Sequence, residues 1–170
     1  MTSLLANGHR RAVPGVAVFA LACLGMAAHH APALALVNES PSVPRGLYLR
    51  EPGAAPARGD LVALPQPPTA RLYLEGLGMP ADVLLIKRVA ATGGDRVCRE
   101  GGVVQTPGRR AVVQPRDRRG IVLSGWAGCR RLAADELFLL GDTPGSYDSR
   151  YFGPVRVSRV DGVFREIMTW

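Results

Sequence analysis

From Ala12 to Ala28 the chain carries no charged side chain, and a second apolar stretch, Ala31 to Val37, follows His29 and His30. As a helix the first stretch would reach about 25 Å, close to the hydrocarbon thickness of a bilayer. Beyond Asn38 the pattern shortens. Leu47-Tyr48-Leu49 and Asp60 to Leu64 read as brief strands parted by the turn Glu51-Pro52-Gly53. Thr69 to Gly76 predicts a short amphipathic helix carrying Leu72, Tyr73 and Leu74, and Val83 to Val89 predicts a strand ended by Gly93-Gly94-Asp95. Residues 96 to 134 read as several short strands with arginine-rich loops, Leu137 to Leu140 as a compact strand, and Gly153 to Ile167 as a final strand pair. Twenty glycines and 14 prolines in 170 residues fit a turn-rich, mainly β domain. The expected division is 1–11 as a cytoplasmic N-terminus, 12–37 as a membrane segment and 38–170 as one exported domain.

Two uses of the apolar segment agree with its flanks. Arg10 and Arg11 before it, and Ala31, Ala33 and Ala35 after it, suit a cleavable signal peptide. The same arginine pair suits an uncleaved anchor held by the positive-inside rule. Both place the residues from about Asn38 onward outside the cytoplasm. With the anchor retained, the protein is a single-pass protein of the inner membrane with its folded domain on the periplasmic, extracytoplasmic side.

Cys98 and Cys129 are the two cysteines of that domain, and an oxidising compartment permits them to bridge. Two unpaired buried thiols are the other reading. All three histidines, His9, His29 and His30, precede the domain, which excludes a Ser/His/Asp triad and a histidine metal site from it. No cofactor or metal is expected. The formal charge is +7, with arginines clustered at 109–110, 116–119 and 130–131. In an exported domain with little aromatic interleaving, such charge suits anionic lipid headgroups rather than nucleic acid.

One of the 21 basic residues is a lysine, Lys87, set in the apolar run Val83 to Val89. An amine loses its proton when buried, whereas a guanidinium does not. That makes Lys87 a candidate general base, set against the plainer reading of a strand residue that extends its amine to solvent. The candidate nucleophile is Ser42, flanked by Pro41 and Pro44, which forbid regular helix and favour an exposed hydroxyl. By itself the stretch also reads as a Ser/Pro linker.

Four segments in order carry a resemblance. Ser42-Val43-Pro44, Arg58 to Val62, Lys87-Arg88-Val89 through Gly94-Asp95, and Gly141-Asp142 through Gly153 resemble the conserved boxes of type I signal peptidases. The lead-in Asn38 to Ser42, the follow-on Pro44 to Tyr48, Arg71 to Leu74 and Trp126 are similar to the conjugative-transfer, TraF-type subgroup. One departure is Gly93, where the family usually has proline, expected to alter a turn and not the chemistry.

The resemblance implies a mainly β, signal-peptidase-like or LexA-like catalytic fold behind one N-terminal transmembrane helix. It implies a serine endopeptidase in which Ser42 attacks a carbonyl and neutral Lys87 takes its proton. The Ser42 N–H and the Ser40 hydroxyl map onto oxyanion donors, Ser146 onto a serine that orients the lysine, and Asp148 with Arg150 onto a supporting ion pair. The implied substrate is an exported precursor polypeptide, a pilin or other conjugation component, with small residues at the first and third positions before the cut. A general leader peptidase and an inactive scaffold of a secretion system are the alternatives. Oligomeric state is left open.

Overall fold

Residues 32–170 are described by a computed structural model, and the short apolar runs along them resolve into two antiparallel sheets. The first has seven strands in the order β1-β2-β11-β3-β4-β9-β10. These are β1 (Ala35–Asn38), β2 (Gly46–Arg50), β3 (Leu61–Leu64), β4 (Leu85–Ala91), β9 (Glu136–Leu140), β10 (Val155–Arg156) and β11 (Gly162–Thr169). The second sheet, in the order β7-β6-β5-β8, is built from β5 (Arg96–Glu100), β6 (Val103–Thr106), β7 (Arg109–Val112) and β8 (Cys129–Arg131). Two short helices, α1 (Pro68–Gly76) and α2 (Ser149–Phe152), complete the described residues together with a 3-10 turn at Val157–Arg159.

The first sheet is buried on both faces at its centre, and β3 shows why its four residues are all apolar. Val62 and Leu64 join a cluster with Ala70 and Leu74 of α1, Leu85, Val89 and Leu139. Leu61 and Ala63 point the other way, to Val43, Tyr48, Ile86 and Phe164. A third cluster ties the sheets together: Val97, Val104, Val113 and Leu132 pack with Phe138 and Leu140 of β9 and with Tyr151. Trp126 closes it edge-on against Phe138, ring centroids 5.3 Å apart.

Several expected boundaries move. The segment assigned to the membrane, 12–37, overlaps β1, whose residues Ala35 to Asn38 pair with Leu49 to Gly46 of β2. Leu36 packs against the Val43–Phe164 cluster, and an apolar run of this length serves a sheet as readily as a bilayer. Residues 12–28 lie outside the described residues. Among those described, no helix is long and apolar enough to cross a membrane. The strand expected at Val83 to Val89 runs from Leu85 to Ala91 instead, because the buried Ala90 and Ala91 extend it while Val83 is exposed. The arginines expected in loops between 96 and 134 lie largely on the strands, at Arg96, Arg99, Arg109, Arg110, Arg130 and Arg131. α1 begins with Pro68 in its first turn, where a missing N–H costs nothing. It buries Ala70 and Leu74 while Leu72 faces outward.

Candidate active site

The β1–β2 connection holds Ser42 through one buried side chain. Asn38 donates from Nδ2 to the carbonyls of Ser40 (2.8 Å), Val43 (3.1 Å) and Pro44 (2.9 Å), and its Oδ1 accepts from the Ser40 N–H (3.1 Å). The Tyr48 hydroxyl donates to the Pro44 carbonyl at 2.5 Å. Pro41 and Pro44 lack N–H groups, so a regular ladder cannot form here and side chains set the loop's shape instead.

Lys87 comes from β4, in register with Val62 of β3. Strand alternation puts it on the side of Leu85 and Val89, both members of the α1-side cluster. Its amine lies 2.8 Å from Ser42 Oγ, and the two residues are only 4% and 6% exposed. Burial lowers the amine to about 8, with Asp148 pulling it up, Arg150 pushing it down and Asp142 pulling it up. Desolvation disfavours the ammonium form. A serine hydroxyl within hydrogen-bond reach of an amine that holds its proton less tightly than usual has the geometry a nucleophile and its base require. Ser40 completes the cluster: its Oγ donates to Ser42 Oγ (3.1 Å) and accepts from the Ser42 N–H (3.2 Å). The two groups expected as oxyanion donors are therefore bonded to each other and to Ser42.

The loop from Gly141 to Arg150 backs this pair. Asp148 and Arg150 form a buried, two-pronged ion pair with both contacts at 2.8 Å. Asp148 also accepts from the Gly141 N–H at 2.8 Å and from the Arg150 N–H at 3.1 Å. The guanidinium goes on to the carbonyls of Val112 (2.8 Å), Pro144 (3.1 Å), Thr143 (3.3 Å) and Ser146 (2.8 Å). Four carbonyls and one carboxylate thus converge on a single cation, which suits the planar fork of arginine and not the point charge of lysine. Gly141 is required for close approach: a Cβ there would sit 2.1 Å from Ser146 Oγ and 2.8 Å from the Ser42 carbonyl oxygen. Ser146 is buried, yet its Oγ has no hydrogen-bond partner among the described residues, so the expected bond to the lysine amine is not made.

Asn38, Asp142, Arg88 and Arg109 contribute as well, without standing out in the sequence as site residues. Asp142 donates its N–H to the Ser42 carbonyl at 2.5 Å. Its carboxylate takes Nε and Nη2 of Arg88 at 3.0 and 2.8 Å, which holds it below the usual carboxylate range. Arg88 also reaches the Gly59 carbonyl (2.9 Å). Asn38 and Asp142 stand inside quoted boxes, so their positions were visible while their partners were not. Arg109 lies in none and reads in the sequence only as part of the basic pair at 109–110.

Away from this site, β5 and β8 set Cys98 directly opposite Cys129, and the two sulfurs are bonded at 1.97 Å. With Glu100 they form the one group of metal-type ligand atoms found among the described residues, within 4.8 Å of one another. Bonded to each other, the sulfurs are not the thiolates that a metal needs. Gly93 sits where a Cβ would fall 2.5 Å from the Ala134 carbonyl oxygen, so the departure from proline allows the 133–134 backbone to pass close by.

The family model described as signal peptidase, peptidase S26, matches residues 10–170. The chain belongs to this family. Within it, the chain falls with the TraF conjugal transfer proteins. It is 33% identical over 150 residues to a probable conjugal transfer protein TraF of Sinorhizobium fredii (strain NBRC 101917 / NGR234), covering 79% of this chain and 77% of the relative. It is 38% identical over 177 residues to a conjugal transfer protein TraF of Agrobacterium tumefaciens (strain 15955), covering 95% of this chain and 98% of the relative. A crystal structure of a signal peptidase I from Enterococcus faecalis V583 aligns with a TM-score of 0.39 at 21% identity, over 65% of this chain and 97% of the other. A peptidase in general acts on a polypeptide.

Proposed function

We propose that this chain is a serine endopeptidase of the inner membrane that cuts an exported precursor, a pilin or other conjugation component, with Ser42 as nucleophile and Lys87 as general base. The observation that carries the reading is the 2.8 Å contact between the buried Lys87 amine and Ser42 Oγ. The neutral amine takes the hydroxyl proton as the oxygen attacks the scissile carbonyl, and the resulting ammonium returns it to the leaving amine. The oxyanion then draws the Ser42 N–H and the Ser40 hydroxyl away from each other, a donor typically contributing about 3 kcal/mol to the transition state.

An extended substrate has a place to lie. The pairing of β9 with β4 begins at Arg88, so the β9-facing edge of β4 before Arg88 carries no strand partner among the described residues. A peptide adding there would run past Ser42 in the manner of strand addition. The relatives named for conjugal transfer favour a conjugation precursor over a general leader-peptide substrate. Retention of both members of the Ser–Lys pair tells against an inactive scaffold.

Co-expression with candidate precursors, followed by N-terminal sequencing of the product, tests this function. Ser42→Ala and Lys87→Arg each abolish processing while the protein still folds, because arginine cannot give up its proton. Processing that survives in Lys87→Arg would remove the lysine from the mechanism. Retention of residues 1–37 in the mature protein, with recovery from membranes after a high-salt wash, tests the anchor; a mature N-terminus between Ala31 and Asn38 would identify a cleaved signal instead.

A further inference from the structure

The peptide unit between Gly141 and Asp142 is held at both ends. Its N–H, on Asp142, bonds the Ser42 carbonyl at 2.5 Å. Its carbonyl, on Gly141, accepts from Nη2 of Arg109 at 2.7 Å. Arg109 does not belong to the sheet that carries Ser42 and Lys87. It starts β7 of the second sheet, directly after the two-residue turn Pro107-Gly108, where Gly108 has φ 79° and the Thr106 hydroxyl bonds the Arg109 carbonyl at 3.2 Å. That hairpin fixes where the guanidinium emerges. Nη1 adds a 3.5 Å contact to Asp142, whose carboxylate is otherwise shared with Arg88.

We propose that Arg109 is a positioning residue for the nucleophile: from the tip of the second sheet it orients the Gly141–Asp142 peptide, which in turn holds the Ser42 carbonyl. The physical basis is that a cation on the carbonyl of a peptide polarises its N–H toward the acceptor on the other side. A peptide pinned at both ends also cannot rotate away from Ser42. The second sheet thereby braces the site without touching the reacting atoms. The same cation partly neutralises Asp142, one of the charges around Lys87; the others are Asp148 and Arg150, and Arg88 is its neighbour on β4. Removing Arg109 leaves Asp142 less compensated and takes a positive charge from the vicinity, and both changes favour the ammonium form of Lys87.

This inference rests on the Ser42–Lys87 reading, so its test has two readouts on the full-length protein in detergent. Lys87 is the single lysine of the chain; lysine labelled with 13C at Cε therefore reports one side chain, and its titration follows that amine alone apart from activity. The second readout is cleavage of a fluorogenic peptide with alanine at the first and third positions before the cut. Arg109→Ala is compared with Arg110→Ala, which removes the same charge from the next, solvent-facing position of β7. Arg109→Gln, which keeps part of the stem, serves if the alanine variant does not fold.

Loss of Arg109 is expected to lower kcat about tenfold or more with KM little changed, and to raise the lysine midpoint by about half a pH unit. Arg110→Ala is expected to do neither. If the two positions behave alike in both readouts, the brace does not exist. If the lysine midpoint moves only for Arg109 while the wild-type protein cleaves nothing, the brace stands and the peptidase reading falls.

Discussion

Lys87 connects activity to pH in a definite direction. Its amine is lowered from 10.5 to about 8 by burial, and a general base works only when unprotonated. Below pH 8, kcat/KM should therefore rise about tenfold per pH unit and then level off. The same depression acts on stability with the sign of a base whose folded value lies below its unfolded one. Between about 8 and 10.5 the unfolded chain binds the proton that the folded chain has lost, so stability increases with pH across that window. At neutral pH the buried ammonium costs on the order of 3 kcal/mol. Lys87→Met, similar in volume and uncharged, should therefore abolish cleavage yet melt at a higher temperature than the wild type at pH 7. A variant that melts lower would show that the amine is well solvated. Lys87 and Ser42 were legible in the sequence because a lone lysine in an apolar strand and a serine between prolines are both anomalies. The partners of Arg109 are not, because nothing in a linear sequence states where a side chain of the second sheet will point.

Among the elements, β8 depends most on covalent support. Its three residues, Cys129 to Arg131, are all exposed, and it joins the second sheet only through β5. The Cys98–Cys129 bridge encloses a sequence separation of 31 residues, for which the chain-entropy model gives roughly 4 kcal/mol. Cys129→Ser is expected to lower the melting temperature while a folded sample keeps most of its turnover, since neither sulfur contacts Ser42 or Lys87. Equal turnover loss and stability loss would place the bridge in the active site's support. The same elements show what periodicity conveys. The apolar centre of the first sheet was readable because strands buried on both faces are almost uniformly hydrophobic. Ala-Leu-Val of β1 reads as part of the membrane segment because it carries no mark of which apolar environment it enters. The arginines of β5, β7 and β8 read as loop residues because one face of the second sheet meets water, and charged residues on such a strand imitate a loop.

In the molecule as a whole, the two catalytic candidates arrive on separate strand pairs. Ser42 follows β1 and precedes β2; Lys87 lies on β4 beside β3. β2 does not pair with β3. The two are joined by β11, which pairs Phe164 to Thr169 with β2 and Gly162 to Phe164 with β3. Phe164 shares one buried cluster with Tyr48, Leu61 and Val43, the neighbour of Ser42. Removal of residues 162–170 should abolish peptide cleavage, and the same segment supplied as a separate peptide should restore a measurable part of it. Full activity in the shortened chain would mean that the Glu39–Arg45 loop finds Lys87 without the sheet.

That strand order also sets a schedule. Ser42 is synthesised early and Lys87 soon after, but the strand that brings them to one place is made about seventy-five residues later. Until it is in place Ser42 and Lys87 stay apart, and a pair that works as proposed can cut neither its own nascent chain nor any polypeptide that chain meets.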